Sequence, residues 1–200
     1  MVGNMHVSPV AGSLGAEITG VDLNQASDQV IKNIRSALLE HGVIFFRDQD
    51  LTPGSQTTFA RRFGPFNRNP YVNGMDGNPD VFLIVKEPED KHHFGNSWHT
   101  DLAYAENPAM ATILYGLDVP DAGGDTMFLS QAAAYEALSD CMKTMLLDLK
   151  VINTNANSYG KGSQRFTDGV AQAMEVSQAV THEVTHPVVR THPETGRKGL

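Results

Sequence analysis

The stretch Asn96-Ser97-Trp98-His99-Thr100-Asp101 sets an imidazole and a carboxylate two residues apart. On extended backbone, side chains at i and i+2 leave the same face, so His99 and Asp101 are expected to converge while Thr100 points away. A neutral imidazole with a hard carboxylate suits Fe(II), and two histidines plus one carboxylate on one octahedral face leave positions open for a co-substrate and O₂. The pair is two thirds of such a set. Taken alone, His-x-Asp serves a structural hydrogen bond as readily as a metal. Trp98, the only tryptophan, is expected to pack behind the site from the opposite face.

The elements that must hold this segment are readable from periodicity and caps. Ser27 precedes a run in which Val30, Ile31, Ile34 and Leu38 share one face until Gly42, which predicts a helix. Val43 to Phe46 is short, apolar and rich in β formers, so it reads as a buried strand. Thr52-Pro53 reads as an N-cap and first helical residue of a second helix that Gly64 would end. Asn, Gly and Pro crowd residues 65–80, a loop. Val81–Val85 and Ala111–Tyr115 are further strand candidates. Gly123-Gly124 marks a turn where backbone without a Cβ could approach something closely. Ser130 and Ser139 cap two short helices between Gln131 and Leu149, and residues 153–185 lack sustained periodicity, as a long loop would. Val188 to Thr191 reads as a strand, Pro193 to Gly196 as a turn, and Arg197 to Leu200 as the start of a returning strand. His186 and His192 flank that strand; a second metal site there is conceivable, with a packing or turn role the alternative.

These phrases carry a resemblance. Leu14-Gly15-Ala16-Glu17-Ile18, Gly20-Val21-Asp22-Leu23, Gly42 through Gln49, Phe59 through Gly64, Trp98-His99-Thr100-Asp101, Gly123-Gly124-Asp125-Thr126, Ala134 through Leu138 and His186 through Pro193 stand in order over essentially the whole chain. The chain resembles the Fe(II)- and 2-oxoglutarate-dependent oxygenases of the taurine dioxygenase and 2,4-dichlorophenoxyacetate dioxygenase (TauD/TfdA) family. The resemblance implies a mainly β fold with flanking helices. This is the double-stranded β-helix, a jelly-roll of the clavaminate synthase kind, present as a single domain over residues 1–200 and incomplete at its C-terminal end. It implies that His99 and Asp101 bind Fe(II), and that Thr126 donates a hydrogen bond to the far carboxylate of 2-oxoglutarate. The family's second iron-ligating histidine and its co-substrate arginine are expected beyond residue 200, and Arg190 is not given that role. Asn69, Tyr71, Gly95, Leu102, Ser158 and Tyr159 are the candidate substrate residues. Asn69 and Gly95 stand where taurine enzymes carry a histidine and an asparagine, which argues against taurine itself.

The activity so implied is oxidation of a small anionic substrate, an organosulfonate such as taurine or an aryloxyalkanoate. It is coupled to conversion of 2-oxoglutarate and O₂ into succinate and CO₂. Three rivals stand beside it. A catalytically inert fragment or binding module would share the pair without completing it, and this 200-residue form is expected to be inactive alone. A halogenase would need a small residue in place of Asp101. A zinc hydrolase would need a general-base motif that the sequence does not offer.

Composition narrows the partners. Fifteen basic against 23 acidic residues give a net charge of −8, a field that repels phosphate backbones and anionic membranes. Nucleic acid and membrane are therefore not expected as partners. Cys141 is the only cysteine, so no internal disulfide forms, and a helix position near Met142 and Met145 explains it. No secretory leader or membrane-length apolar run is seen, so a cytoplasmic protein is expected. The full-length parent is expected to be a homo-oligomer.

Overall fold

The computed structural model describes residues 4–68, 74–89, 95, 97–156 and 182–200. These fall into two compact units. The first comprises residues up to Phe63 with Leu114–Leu149 and Pro187–Leu200; the second comprises Gly64–Ile113 and Lys150–His186.

The first unit is built on a three-stranded sheet in the order β1-β2-β3, from His6–Pro9, Ala16–Thr19 and Ile44–Phe46. β1 and β2 are antiparallel with His6 opposite Thr19, whereas β2 and β3 are parallel with Ala16 opposite Ile44. A parallel pair cannot be joined by a tight turn, and the helix α1, Asp28–His41, supplies the crossover. Ser27 accepts from the Val30 amide at its start, and Gly42 at φ +71° returns its amide to the Leu38 carbonyl at its end. Ile31, Ile34 and Ala37 are buried, with Ala16 and Ile18 from β2 also in the core. Each isoleucine so placed contributes about 1.5–3 kcal/mol.

Helix α2, Pro53–Arg61, opens on a reciprocal pair in which Thr52 and Ser55 bond each other's backbone amides. Phe59 from its last turn is buried and meets Phe46 and Phe63 edge to face, with centroids 6.3 and 5.2 Å apart. The loop between β3 and α2 is knitted by Gln49, whose carbonyl oxygen accepts from the Leu23 amide and whose amide donates to the Val21 and Arg47 carbonyls. The Tyr115 hydroxyl donates to the Gln49 backbone carbonyl and accepts from the Leu51 amide.

Two short helices follow, α3 at Gln131–Glu136 and α4 at Asp140–Leu146, capped by Ser130 and Ser139 as the sequence predicts. The hairpin of β6, Arg190–Thr191, and β7, Lys198–Gly199, turns on Gly196 at φ +68°. Arg35 on α1 grips Glu194 of that turn with two hydrogen bonds of 2.8 and 2.9 Å, and donates a third to the Phe63 carbonyl.

In the second unit, β4 at Lys150–Thr154 pairs with β5 at Glu183–Pro187, and Asn155 and His182 exchange hydrogen bonds at one end. Several expectations are corrected. Val81–Val85 and Ala111–Tyr115 form no regular secondary structure and join no strand ladder among the described residues, and Phe82, Leu83, Ile84 and Val85 are exposed. Their apolar composition marks them for burial, but a ladder requires a second strand, which a local pattern cannot specify. Conversely β1, β2 and β4 form where periodicity did not mark them. α2 ends at Arg61 rather than at Gly64. Gly123 and Gly124 have φ of +84° and +70° with open space or an ordinary contact where a Cβ would stand, so they serve the turn rather than a close approach. Most of the predicted loop 153–185 lies outside the described residues.

Candidate metal site

His99 and Asp101 meet. His99 Nε2 lies 3.2 Å from Asp101 Oδ1, with both side chains about half exposed, at 51% and 52%. The route differs from the expected strand: residues 98–100 form no regular secondary structure, and Asp101 opens a run of turns. Within it the Ala103 amide donates to the Thr100 carbonyl and the Ala105 amide to the Leu102 carbonyl. Leu102 takes φ +52°, a left-handed conformation uncommon for a branched side chain and costly without support.

Three contacts hold the pair in this pose. His99 Nδ1 lies 2.7 Å from the Ser97 carbonyl. A carbonyl only accepts, so Nδ1 carries the proton and Nε2 is the nitrogen left to face Asp101. The Thr112 hydroxyl donates to Asp101 Oδ2 at 2.7 Å. His186, buried on β5, donates from Nε2 to the Ala105 carbonyl at 3.0 Å and so ties the turn to the sheet.

The fit of a metal ion to this arrangement can be tested. A lone pair on Nε2 and a carboxylate oxygen at this range repel, so the geometry calls for a positive centre between them: a proton on Nε2 or a metal ion. For ligand bonds of about 2.1 Å at a right angle, two neighbouring donors on an octahedral ion stand about 3.0 Å apart. The observed 3.2 Å matches that edge. Imidazole and carboxylate are also the donor types of a non-haem Fe(II) face. Among the described residues no group of three or more His, Cys, Asp or Glu side chains is gathered around one point.

The remaining expected residues fare differently. Gly95, at φ +72°, stands beside the pair, since a Cβ on it would lie 3.4 Å from His99 Cε1. Leu102 follows Asp101 in the turn and is partly buried. Asn69, Tyr71, Ser158 and Tyr159 lie outside the described residues. Thr126 is exposed in the first unit, three residues after Gly123. Trp98 corrects its expectation: it is 65% exposed rather than packed behind the pair.

His186 and His192 each bond a different turn. His186 is spent on the Ala105 carbonyl, while His192 Nδ1 accepts from the amides of Glu194 and Thr195 in the hairpin turn. Ser97, Thr112 and His186 were not singled out from sequence as parts of the site. A serine beside the pair was visible, but the carbonyl that it supplies is backbone and carries no sequence signal. Thr112 and His186 reach the segment from 11 and 81 residues away in sequence.

Residues 6–200 match the family described as taurine catabolism dioxygenase TauD, TfdA family. An alkylsulfatase of Acinetobacter baylyi is 35% identical over 199 residues, which cover 98% of this chain and 62% of that protein. An alpha-ketoglutarate-dependent sulfate ester dioxygenase of Pseudomonas putida is 34% identical, again over 98% of this chain, and the match spans 65% of its length. Among solved structures, a taurine dioxygenase from Burkholderia xenovorans superposes with a TM-score of 0.75 at 33% identity, covering 98% of this chain and 62% of that one. The chain thus spans a little under two thirds of the length of these relatives.

Proposed function

The chain belongs to the taurine catabolism dioxygenase TauD, TfdA family, and on that premise we propose that the whole protein is an Fe(II)- and 2-oxoglutarate-dependent dioxygenase acting on a small anionic organic substrate. The observation that carries the reading is the 3.2 Å approach of His99 Nε2 to Asp101 Oδ1, at the edge length of an octahedral ion. The family match supplies the chemistry that such a pair would serve. The whole is a double-stranded β-helix in a single domain, working in the cytoplasm as a homo-oligomer.

In this reading His99 offers Nε2 and Asp101 offers Oδ1 to the iron. Ser97 keeps the histidine in the tautomer that leaves Nε2 free. Thr126 presents its hydroxyl to the far carboxylate of 2-oxoglutarate, an acceptor with no proton of its own. Gly95, beside the imidazole, leaves room on the substrate side, with Asn69, Tyr71, Leu102, Ser158 and Tyr159 completing the substrate surface. Bound Fe(II), with 2-oxoglutarate and O₂, supplies the oxidation: one oxygen atom enters a substrate C–H bond as hydroxyl, the other enters succinate, and CO₂ leaves. A carbon hydroxylated beside a sulfur or oxygen substituent collapses to a carbonyl and releases that group.

The names of the sulfate ester and taurine dioxygenase relatives favour an alkyl sulfur oxyanion as the substrate, with an aryloxyalkanoate the next candidate. The test is succinate formation by the whole protein under air with Fe(II) and 2-oxoglutarate, in the presence of an alkyl sulfate, a sulfonate or an aryloxyalkanoate. Substrate-dependent succinate that falls to background in His99→Ala and Asp101→Ala is expected. Turnover surviving His99→Ala would refute the assignment.

A further inference from the structure

We infer that Thr112 is a positioning residue that makes Asp101 a one-oxygen ligand and so sets how many coordination places remain on the metal; this rests on the function proposed above. A carboxylate has two equivalent oxygens and, left to itself, can chelate an ion through both. Here the two are made inequivalent. Oδ1 faces His99 Nε2 at 3.2 Å, while Oδ2 receives the Thr112 hydroxyl at 2.7 Å. That second bond is charge-assisted and short, and it must be broken before Oδ2 can turn toward the ion.

The bond matters because little else restrains the group. Asp101 is half exposed, and its neighbour Leu102 already sits in a strained backbone conformation. Without the hydroxyl, the carboxylate is free to rotate about its terminal torsion, which is broad and soft. Chelation would then take a place that the proposed chemistry needs for 2-oxoglutarate, O₂ or substrate. Thr112 suits the task structurally. Its β-branched side chain holds the single hydroxyl in few rotamers.

The test compares Thr112→Val, which keeps the shape and removes the donor, with Thr112→Ser, which keeps the donor. Mn(II) affinity is read from the free-ion electron paramagnetic resonance signal. Carboxylate coordination is read from the splitting of the antisymmetric and symmetric stretches in metal-loaded minus metal-free infrared spectra of ¹³C-aspartate-labelled protein. The valine variant should show the narrower splitting of a chelating carboxylate, together with a change of Mn(II) affinity of up to about 10–100-fold, the range typical for lost outer-shell partners. The serine variant should stay within about threefold of the parent, and both should melt with the parent because Thr112 is exposed. Parent-like splitting in the valine variant would overturn the inference, as would a serine variant with the same splitting as the valine one. Asp101→Ala separates the two readings. If Asp101→Ala weakens binding and Thr112→Val changes nothing, the inference alone fails; if Asp101→Ala also binds as the parent does, the metal site itself is wrong.

Discussion

Replacing His186 by leucine should loosen the turn that carries Asp101 without unfolding the protein. The His186 side chain is buried, and its Nε2–H is the donor to the Ala105 carbonyl at 3.0 Å. Leucine fills comparable space but leaves that carbonyl without its donor. That carbonyl is only part-buried, so stranding it costs about 1 kcal/mol, the low end of the range for a buried acceptor, which at 1.4 kcal/mol per decade is about a fivefold rise in the local opening equilibrium. The effect should be regional, because the Ala105 amide closes the turn onto the Leu102 carbonyl, and Leu102 holds φ +52° at a strain cost of its own. Hydrogen exchange followed by mass spectrometry should show the 100–106 segment exchanging faster by that factor, with α1 unchanged. His186→Gln, which retains an amide donor, should recover most of the protection. Exchange at 100–106 unaltered in the leucine variant would show that the histidine does not secure the turn. Acceleration spread evenly over α1 would show a global stability effect instead.

Three further outcomes follow from the first unit. Gly42→Ala should lower stability by about 1–2 kcal/mol, the cost of a left-handed residue with a Cβ, since Gly42 sits at φ +71° and its new Cβ would stand 2.8 Å from Leu14 Cδ1; urea denaturation reads it from the midpoint. Ser27→Ala should cost about 1 kcal/mol by freeing the Val30 amide, whereas Ser27→Asp should hold the parent midpoint. Glu194→Gln should cost under about 1 kcal/mol, because the Arg35 pair is roughly a third exposed, and the difference from the parent should shrink as salt is raised.

What was legible in the sequence divides by the range of the contact that decides it. Helix ends are local events: a serine or threonine oxygen reaches an amide three residues on, so Ser27, Thr52, Ser130 and Ser139 each stood in the sequence as the caps that the structure contains. The hairpin at Pro193 to Gly196 was equally local, being decided by one glycine at positive φ. The sheets were not. β1 and β2 hold mixed residues, His-Val-Ser-Pro and Ala-Glu-Ile-Thr, whose strand state comes from pairing rather than from their own preference. Two runs with a strong apolar signal, Val81–Val85 and Ala111–Tyr115, found no ladder among the described residues.

The same division runs through the candidate metal site. The two proposed ligands could be read because they are two residues apart, and the chemistry of imidazole and carboxylate is carried by residue type. Their orientation could not. It depends on a backbone carbonyl from Ser97, a hydroxyl from 11 residues downstream and an imidazole from 81 residues downstream of the carbonyl that it secures. Each supports a different degree of freedom: the histidine tautomer, the carboxylate rotation and the path of the turn. A sequence can therefore name a ligand pair while leaving its coordination open, because tautomer and denticity are properties of the surrounding hydrogen bonds rather than of the ligands themselves.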